Sequence, residues 1–221
     1  MAVKGPSICA VIVNSDLAMA RKAEEIADLI EVRIDLIGDE WQKLATGLSK
    51  PWIACNRTAA EGGQWKGDEN KRIEELLKAT ELGADIIDIE LETIGLAEAI
   101  PLIKRRAECL ISFHDLTGTP PLERLRKIVC RQLAAGADIY KVVAAAQSFE
   151  DNITMLQLLS GFPDTKGISF AMGPWGLISR IFCPLVGGYF TYASIERGKE
   201  SAPGQITVQD LRKVYEMVVG C

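Results

Sequence analysis

The order in which apolar runs follow one another limits this chain more than any other property. Short, β-rich apolar runs occur at residues 7–13, 29–34, 51–57, 84–91, 108–113, 137–143, 166–172 and 186–193. Segments with helical spacing lie between and after them, at 16–27, 39–48, 69–82, 93–107, 120–135, 149–159, 175–182 and 207–218. Strict β–α alternation requires crossover connections, and hence a parallel sheet in an α/β fold. Eight units spread over 221 residues give about 28 residues per unit, near the lower end for a (β/α)8 TIM barrel. A doubly wound open sheet usually needs fewer strands and often opens on a glycine-rich turn. Here the first run leads into Val13-Asn14-Ser15-Asp16, with no GxGxxG. No Pro/Gly/Ser linker or shift of composition divides the chain, so residues 1–221 are expected to form one barrel domain.

Local signals agree with these boundaries. Gly83 and Gly136 follow helical segments, where a left-handed cap is expected, and lead into the near-repeats LGADIIDI and AGADIYKV. Pro120-Pro121 stands at a helix start, where a missing N–H costs little. Pro101 falls inside the fourth helical segment and should kink or split it.

Composition removes several function classes. The net charge is −5, which offers no footprint for a phosphate backbone, so no nucleic-acid partner is expected. No apolar run approaches the roughly 20 residues of a spanning helix. MAVKGPSICAVIV lacks a small-residue cleavage site and reads as a first strand, not a signal peptide. The six cysteines form no CxxC pair. A chain this long needs no disulfide staples, so reduced thiols in a cytoplasmic protein are expected. His114 is the only histidine, which argues against a His-rich zinc site.

Strand parity separates core from site, because side chains alternate faces. In the second run Ile30, Val32 and Ile34 share one face and Glu31, Arg33 and Asp35 the other. In the fourth, Ile87, Ile89 and Leu91 oppose Asp88 and Glu90. Ser112 and His114 oppose Ile111 and Phe113; Lys141 opposes Tyr140 and Val142; the third run ends at Arg57. A parallel sheet is buried on both sides, so charges on its inner face must pair or work. They cluster toward the strands' C-terminal ends, where barrel active sites are built.

Five stretches then stand out in order: IACNRTAAEGG, LISFHDLTGTPP, ADIYKVVAAAQSFED, GISFAMGPWGLISRI and SAPGQI. Together they resemble the type I 3-dehydroquinate dehydratase family over nearly the whole chain. The resemblance implies a lyase of the shikimate pathway that dehydrates 3-dehydroquinate through a Schiff base, with syn elimination and without metal or cofactor. It implies Lys141 as the imine-forming amine, for which desolvation and nearby cations would favour the neutral form. It implies His114 as general acid and base and Glu61 as the group that orients it. Arg180 matches the clamp on the substrate carboxylate, a role that suits a planar fork. Glu31, Arg33 and Arg57 match further polar contacts, Ser201 and Gln205 a closing loop, and Met172 a packing position near the lysine. Asp88 and Glu90 are expected as interior partners of the cations.

The family also implies a homodimer. Its longer members carry an N-terminal hairpin, for which only about six residues are available here, and no dehydrogenase domain is expected after the last helix. The family's Met-Pro pair after the lysine strand is replaced by Ala144-Ala145-Ala146. Two other readings remain. A Schiff-base aldolase could use Gly187-Gly188 as a phosphate site, though SFHD and SAPGQI argue against it. A non-catalytic sensor should have lost Lys141 or His114, and both are present.

Overall fold

A computed structural model describes residues 5–220; Cys221 and residues 1–4, part of the short N-terminal stretch, lie outside the described residues. Eight strands follow one another: β1 (Ile8–Ile12), β2 (Leu29–Arg33), β3 (Trp52–Cys55), β4 (Ile86–Glu90), β5 (Glu108–Asp115), β6 (Ile139–Ala145), β7 (Lys166–Met172) and β8 (Thr191–Ser194). All recorded pairings are parallel, in the order β7-β6-β5-β4-β3-β2-β1-β8. Across the remaining seam, the Tyr189 N–H donates to the Gly167 carbonyl at 2.8 Å. The sheet is thus a nearly closed (β/α)8 barrel.

The register explains why one face became the site. Arg33 lies opposite Cys55, Cys55 opposite Asp88, Glu90 opposite Ser112, and Ser112 opposite Lys141. Partners in a parallel register share a face, so these side chains all enter the barrel. The alternate residues Ile30, Val32, Ala54, Ile87, Ile89, Ile111 and Val142 are all fully buried in the layer beneath the helices.

Helices α1 (Leu17–Ile26), α4 (Glu69–Glu81), α6 (Leu122–Ala135), α7 (Glu150–Ser160) and α9 (Val208–Val219) match expected segments closely. Asp16, Asp68 and Thr207 cap α1, α4 and α9 by accepting backbone N–H groups of the first turn, each worth about 1 kcal/mol. Gly136 closes α6 at φ 106°, the left-handed cap expected there.

The near-repeat phrases also acquire a cause. Asp85 accepts from the Trp52 N–H and Asp138 from the Cys109 N–H, both at 2.9 Å. Asp28 does the same for Ile8 at 2.8 Å. Each aspartate precedes one strand and ties down the start of its neighbour at the N-terminal end of the barrel.

Three expectations need correction. The segment 39–48 is not one helix: a 3-10 turn (Gly38–Glu40) leads into a short α3 (Trp41–Ala45), and Ile34 and Asp35, read as the end of the second strand, instead open α2 (Ile34–Ile37), which stops at Gly38 with φ 73°. Pro101 does not split its helix; α5 (Leu96–Ile103) runs through it but is only 8 residues long. The last strand begins at Thr191 and not at 186. Cys183–Val186 forms a 3-10 turn after α8 (Leu177–Phe182), and Gly187 leaves it at φ 104°. A side chain on Gly188 would collide with Cys183. This Gly-Gly pair makes a tight turn, which is reason enough for both glycines without a phosphate.

Cys9, Cys55, Cys109 and Cys183 are buried free thiols, and Cys130 is an exposed one.

Candidate active site

The inner charges meet at the C-terminal mouth. Lys141 projects from β6 with its Nζ 2.9 Å from Asp88 Oδ2 on β4 and 3.7 Å from Glu31 Oε1 on β2. The Nζ also sits 4.1 Å from the ring centroid of Tyr192 on β8. Sequence alone had led us to expect desolvation and cations around this amine. Its direct partners are two carboxylates, because β2 and β4 bring their acidic faces across the barrel toward β6.

Arg57, just past β3, spans the two acids of β4. Its Nη2 lies 2.7 Å from Asp88 Oδ1, and its Nη1 lies 3.1 Å from Glu90 Oε1 and 2.6 Å from Ser112 Oγ. Ser112 in turn donates to Asp88 at 2.6 Å. Burial pushes the Asp88 carboxyl up, but Arg57 and Lys141 outweigh it and hold the group well below the usual range. Asp88 therefore stays charged between two cations.

Glu61 sits on a 3-10 turn (Ala59–Glu61) and reaches β5. Its Oε2 lies 2.8 Å from His114 Nδ1 and accepts the His114 backbone N–H at 2.9 Å. Burial, helped by Arg57 and Lys141, holds the imidazole well below its ordinary pKa, so it is neutral near pH 7. Burial pushes Glu61 up to about 8; Arg57 opposes this, and Glu90 and Asp88 add to it. The two groups share protons as a pair. With Nδ1 engaged by Glu61, Nε2 is the nitrogen left for other work.

Arg180 comes from α8 and is fully buried. Its guanidinium lies 4.3 Å from the Phe170 ring centroid and donates only one 3.3 Å bond, to the Tyr192 carbonyl. Among the described residues no acid pairs with it, and its Nε has no hydrogen-bond partner. Burial lowers its pKa to about 10, which leaves it charged at neutral pH. A buried cation without a counter-ion is a costly arrangement unless an anion arrives. Arg33 is the opposite case, since Asp35 holds it in a fork at 2.9 and 2.7 Å.

Lys141, His114, Glu61, Glu31, Arg33, Arg57 and Arg180 all line one cavity of about 110 Å³. Met172, Phe170 and Val143 give it an apolar wall. Ser201 and Gln205 close it from the segment between β8 and α9. Their side chains bond each other, with Gln205 Nε2 donating to Ser201 Oγ at 3.1 Å. Pro203 accepts the Gly173 N–H at 3.1 Å, which docks this segment onto the end of β7. Every residue singled out from the sequence as a site residue therefore lines the same space. Parity places Ser112 on the inner face with His114 but gives it no role, and Phe170 and Tyr192 were not singled out. Both are aromatics inside expected strands, where a ring reads as core.

Three buried atoms around this cavity lack a hydrogen bond: Glu31 Oε1, Arg180 Nε and the Tyr192 hydroxyl. Unsatisfied groups of both polarities mark a place built for a polar ligand.

The model of the type I 3-dehydroquinase family matches residues 8–220. The chain belongs to the type I 3-dehydroquinase family. A 3-dehydroquinate dehydratase of Dehalococcoides mccartyi is 43% identical over 216 residues, covering 98% of this chain and 97% of the relative. One from Methanosarcina mazei is 36% identical over 232 residues, covering 97% and 96%. The crystal structure of 3-dehydroquinate dehydratase from Geobacillus kaustophilus superposes with a TM-score of 0.85 at 26% identity, covering 96% of this chain and 91% of that one. Membership of the 3-dehydroquinase family makes the chain a hydro-lyase.

Proposed function

We propose that this cavity carries out the family reaction with the residues named above. The chain converts 3-dehydroquinate to 3-dehydroshikimate and water, a step of the shikimate pathway, through a Schiff base. The observation that carries the assignment of roles is the pairing of opposites in one cavity. A buried lysine stands beside two carboxylates in the cavity, and a buried arginine there has no acid partner among the described residues.

In the proposed sequence the substrate carboxylate pairs with Arg180 by charge-assisted hydrogen bonds. Neutral Lys141 Nζ attacks the ketone carbon, and the carbinolamine loses water to give an iminium. His114 Nε2 then takes the proton alpha to the iminium; the electron pair of that C–H bond forms the C=C of an enamine as the C=N π pair moves onto nitrogen. The enamine pair returns to expel the hydroxyl, which leaves with the proton from His114 as water. Hydrolysis of the imine consumes the first water and restores the lysine. The amine and the imidazole suffice, and the scheme balances without metal or cofactor. Glu61 orients the imidazole, while Glu31, Arg33 and Arg57 set the polarity around the substrate hydroxyls and carboxylate. The Ser201–Gln205 segment excludes water, and Met172 packs beside the imine.

Borohydride reduction in the presence of 3-dehydroquinate, followed by peptide mass analysis, tests this scheme. An adduct on the Lys141 peptide is expected. Lys141→Ala should lose both adduct and turnover. His114→Ala should keep the adduct and lose turnover. An adduct elsewhere, or none, sinks the assignment.

We read residues 1–221 as one catalytic domain of a cytoplasmic homodimer. Support for pairing comes from the outer side of α7 and α8, which pack together and expose Phe149, Ile153, Trp175, Ile178 and Phe182. The Phe149 and Trp175 rings already stack edge to face at 5.0 Å. Apolar exposure of this extent is characteristic of an interface. A monomer mass in sedimentation at micromolar concentration overturns the dimer.

A further inference from the structure

We propose that Arg72, on α4 and outside the cavity, is a positioning residue that fixes Arg57 and Glu61 by clamping the backbone on both sides of Arg57. The proposal rests on the roles given above to Arg57 and Glu61.

Arg72 is fully buried and uses its whole guanidinium. Nη1 lies 2.5 Å from Glu90 Oε2 and donates to the Asn56 carbonyl at 3.0 Å. Nη2 donates to Thr93 Oγ1 at 2.7 Å and to Glu69 Oε1 at 2.6 Å, and Nε donates to Glu69 Oε2 at 3.0 Å. The other oxygen of Glu90 accepts the Thr58 N–H at 3.0 Å and faces Arg57 Nη1 at 3.1 Å. The Arg72–Glu90 pair thus grips residue 56 by its carbonyl and residue 58 by its amide. Arg57 lies between them, and the turn that carries Glu61 starts at the next residue.

A second consequence is electrostatic. Arg57, Lys141, Asp88 and Arg33 face His114, and Arg57, Glu90 and Asp88 face Glu61. Arg72 neutralises one of these anions from behind. Without it, Glu90 keeps only Arg57 as a cationic partner and its charge acts more strongly on the Glu61–His114 pair, so protons bind that pair more tightly. Lysine is no substitute, since one ammonium can meet Glu90 but cannot also span Asn56, Thr93 and Glu69.

The test compares wild type, Arg72→Met, Arg72→Lys and the neutral pair Arg72→Met/Glu90→Gln. Arg131→Met, which removes an exposed ion pair with Glu92, is the control. Two readouts are taken on folded protein: kcat and KM for 3-dehydroquinate, and the NMR titration of the ligand-free chain. The titration is unambiguous because His114 is the only histidine. Arg72→Met should lower kcat about tenfold or more, as misplaced groups do, and move the His114 midpoint upward. Arg72→Lys should restore the midpoint but not kcat. If Arg72→Met fails to fold, the neutral pair should fold and still lose kcat. Wild-type kcat and His114 midpoint in Arg72→Met, or wild-type kcat in the neutral pair, would overturn the proposal and leave Arg72 a purely structural residue. If the functional reading itself is wrong, wild type will not turn over 3-dehydroquinate, while the His114 titration still reports on the clamp.

Discussion

Two arginines are buried on different sides of this barrel, and they are buried in different ways. Behind β3 and β4, Arg72 meets two carboxylates, a carbonyl and a hydroxyl. Beside β7 and β8, Arg180 meets a phenyl face, one long hydrogen bond and a cavity. Burial opposes the charge at both. At Arg72 the bonds to Glu69 and Glu90 outweigh it and raise the pKa; at Arg180 nothing of that kind does, and the pKa falls to about 10. A satisfied buried charge holds the structure in register. An unsatisfied one is held ready for a ligand, and its cost is borne by the rest of the fold.

Swapping each arginine for methionine is the strongest way to break this distinction. Arg72→Met strands Glu90 and Glu69, and should lower stability by about 3–5 kcal/mol, the usual cost of breaking a buried pair. Arg180→Met removes a charge that had no partner, and should leave the denaturant midpoint unchanged or raise it. Its kcat/KM should nevertheless fall by about two orders of magnitude or more, as loss of a charge-assisted clamp on a carboxylate implies. Chemical denaturation and steady-state kinetics on both variants decide the matter. Equal losses of stability would erase the difference between the two sites.

The two arginines also differ in how far the sequence revealed them. Arg180 was found through MGxxGxxSR, a local motif on a local helix. Arg72 sits in the run ENKRIEE beside the exposed Lys71, and no spacing along the chain separates the two. Its importance depends on Glu90, which pairs with it only in the folded barrel. The same limit applies around Lys141. Parity put Asp88 and Glu31 on inner faces, but it could not say that both would converge on the amine from β2 and β4. The barrel itself was legible because apolar strands alternate cleanly with amphipathic helices. The exception is the last strand, where Val186 reads as its start and the close approach of Gly188 to Cys183 makes this stretch a turn.

A smaller effect sharpens the contrast through pH. Glu61 is a carboxyl kept in the site by burial, with a folded pKa of about 8 against an ordinary value of 4.5. A raised pKa means that the folded state holds the proton more tightly than the unfolded one. The stability it contributes is complete below about 4.5 and is lost as pH rises through about 8. Glu61→Gln removes this slope. Relative to wild type, the variant should therefore gain stability between pH 5 and pH 8 in paired denaturant titrations. Its turnover should fall, because an amide no longer orients the imidazole as the carboxyl does. A parallel pH dependence in the two proteins would mean that Glu61 is not desolvated as its place in the cavity requires.

The smallest effects belong at the other end of the barrel, where Asp28, Asp85 and Asp138 each have a partner. Asp85 and Asp138 each accept one strand-start N–H, and Asp138 also pairs with Lys104 at 2.6 Å. These groups are partly solvated, so each hydrogen bond is worth about 1 kcal/mol. The extra ion pair adds about 0–1 kcal/mol, since both its members are exposed enough to be screened. Asp85→Ala and Asp138→Ala should each lower stability by about 1 kcal/mol, with the second at least as costly as the first. Neither should change kcat or KM, because the strand starts lie a full strand length from the chemistry and the strands between are tightly packed. A kinetic effect from either would show that the register of β3 and β5 reaches the mouth, so that the division between a structural end and a catalytic end is less complete than the two arginines imply.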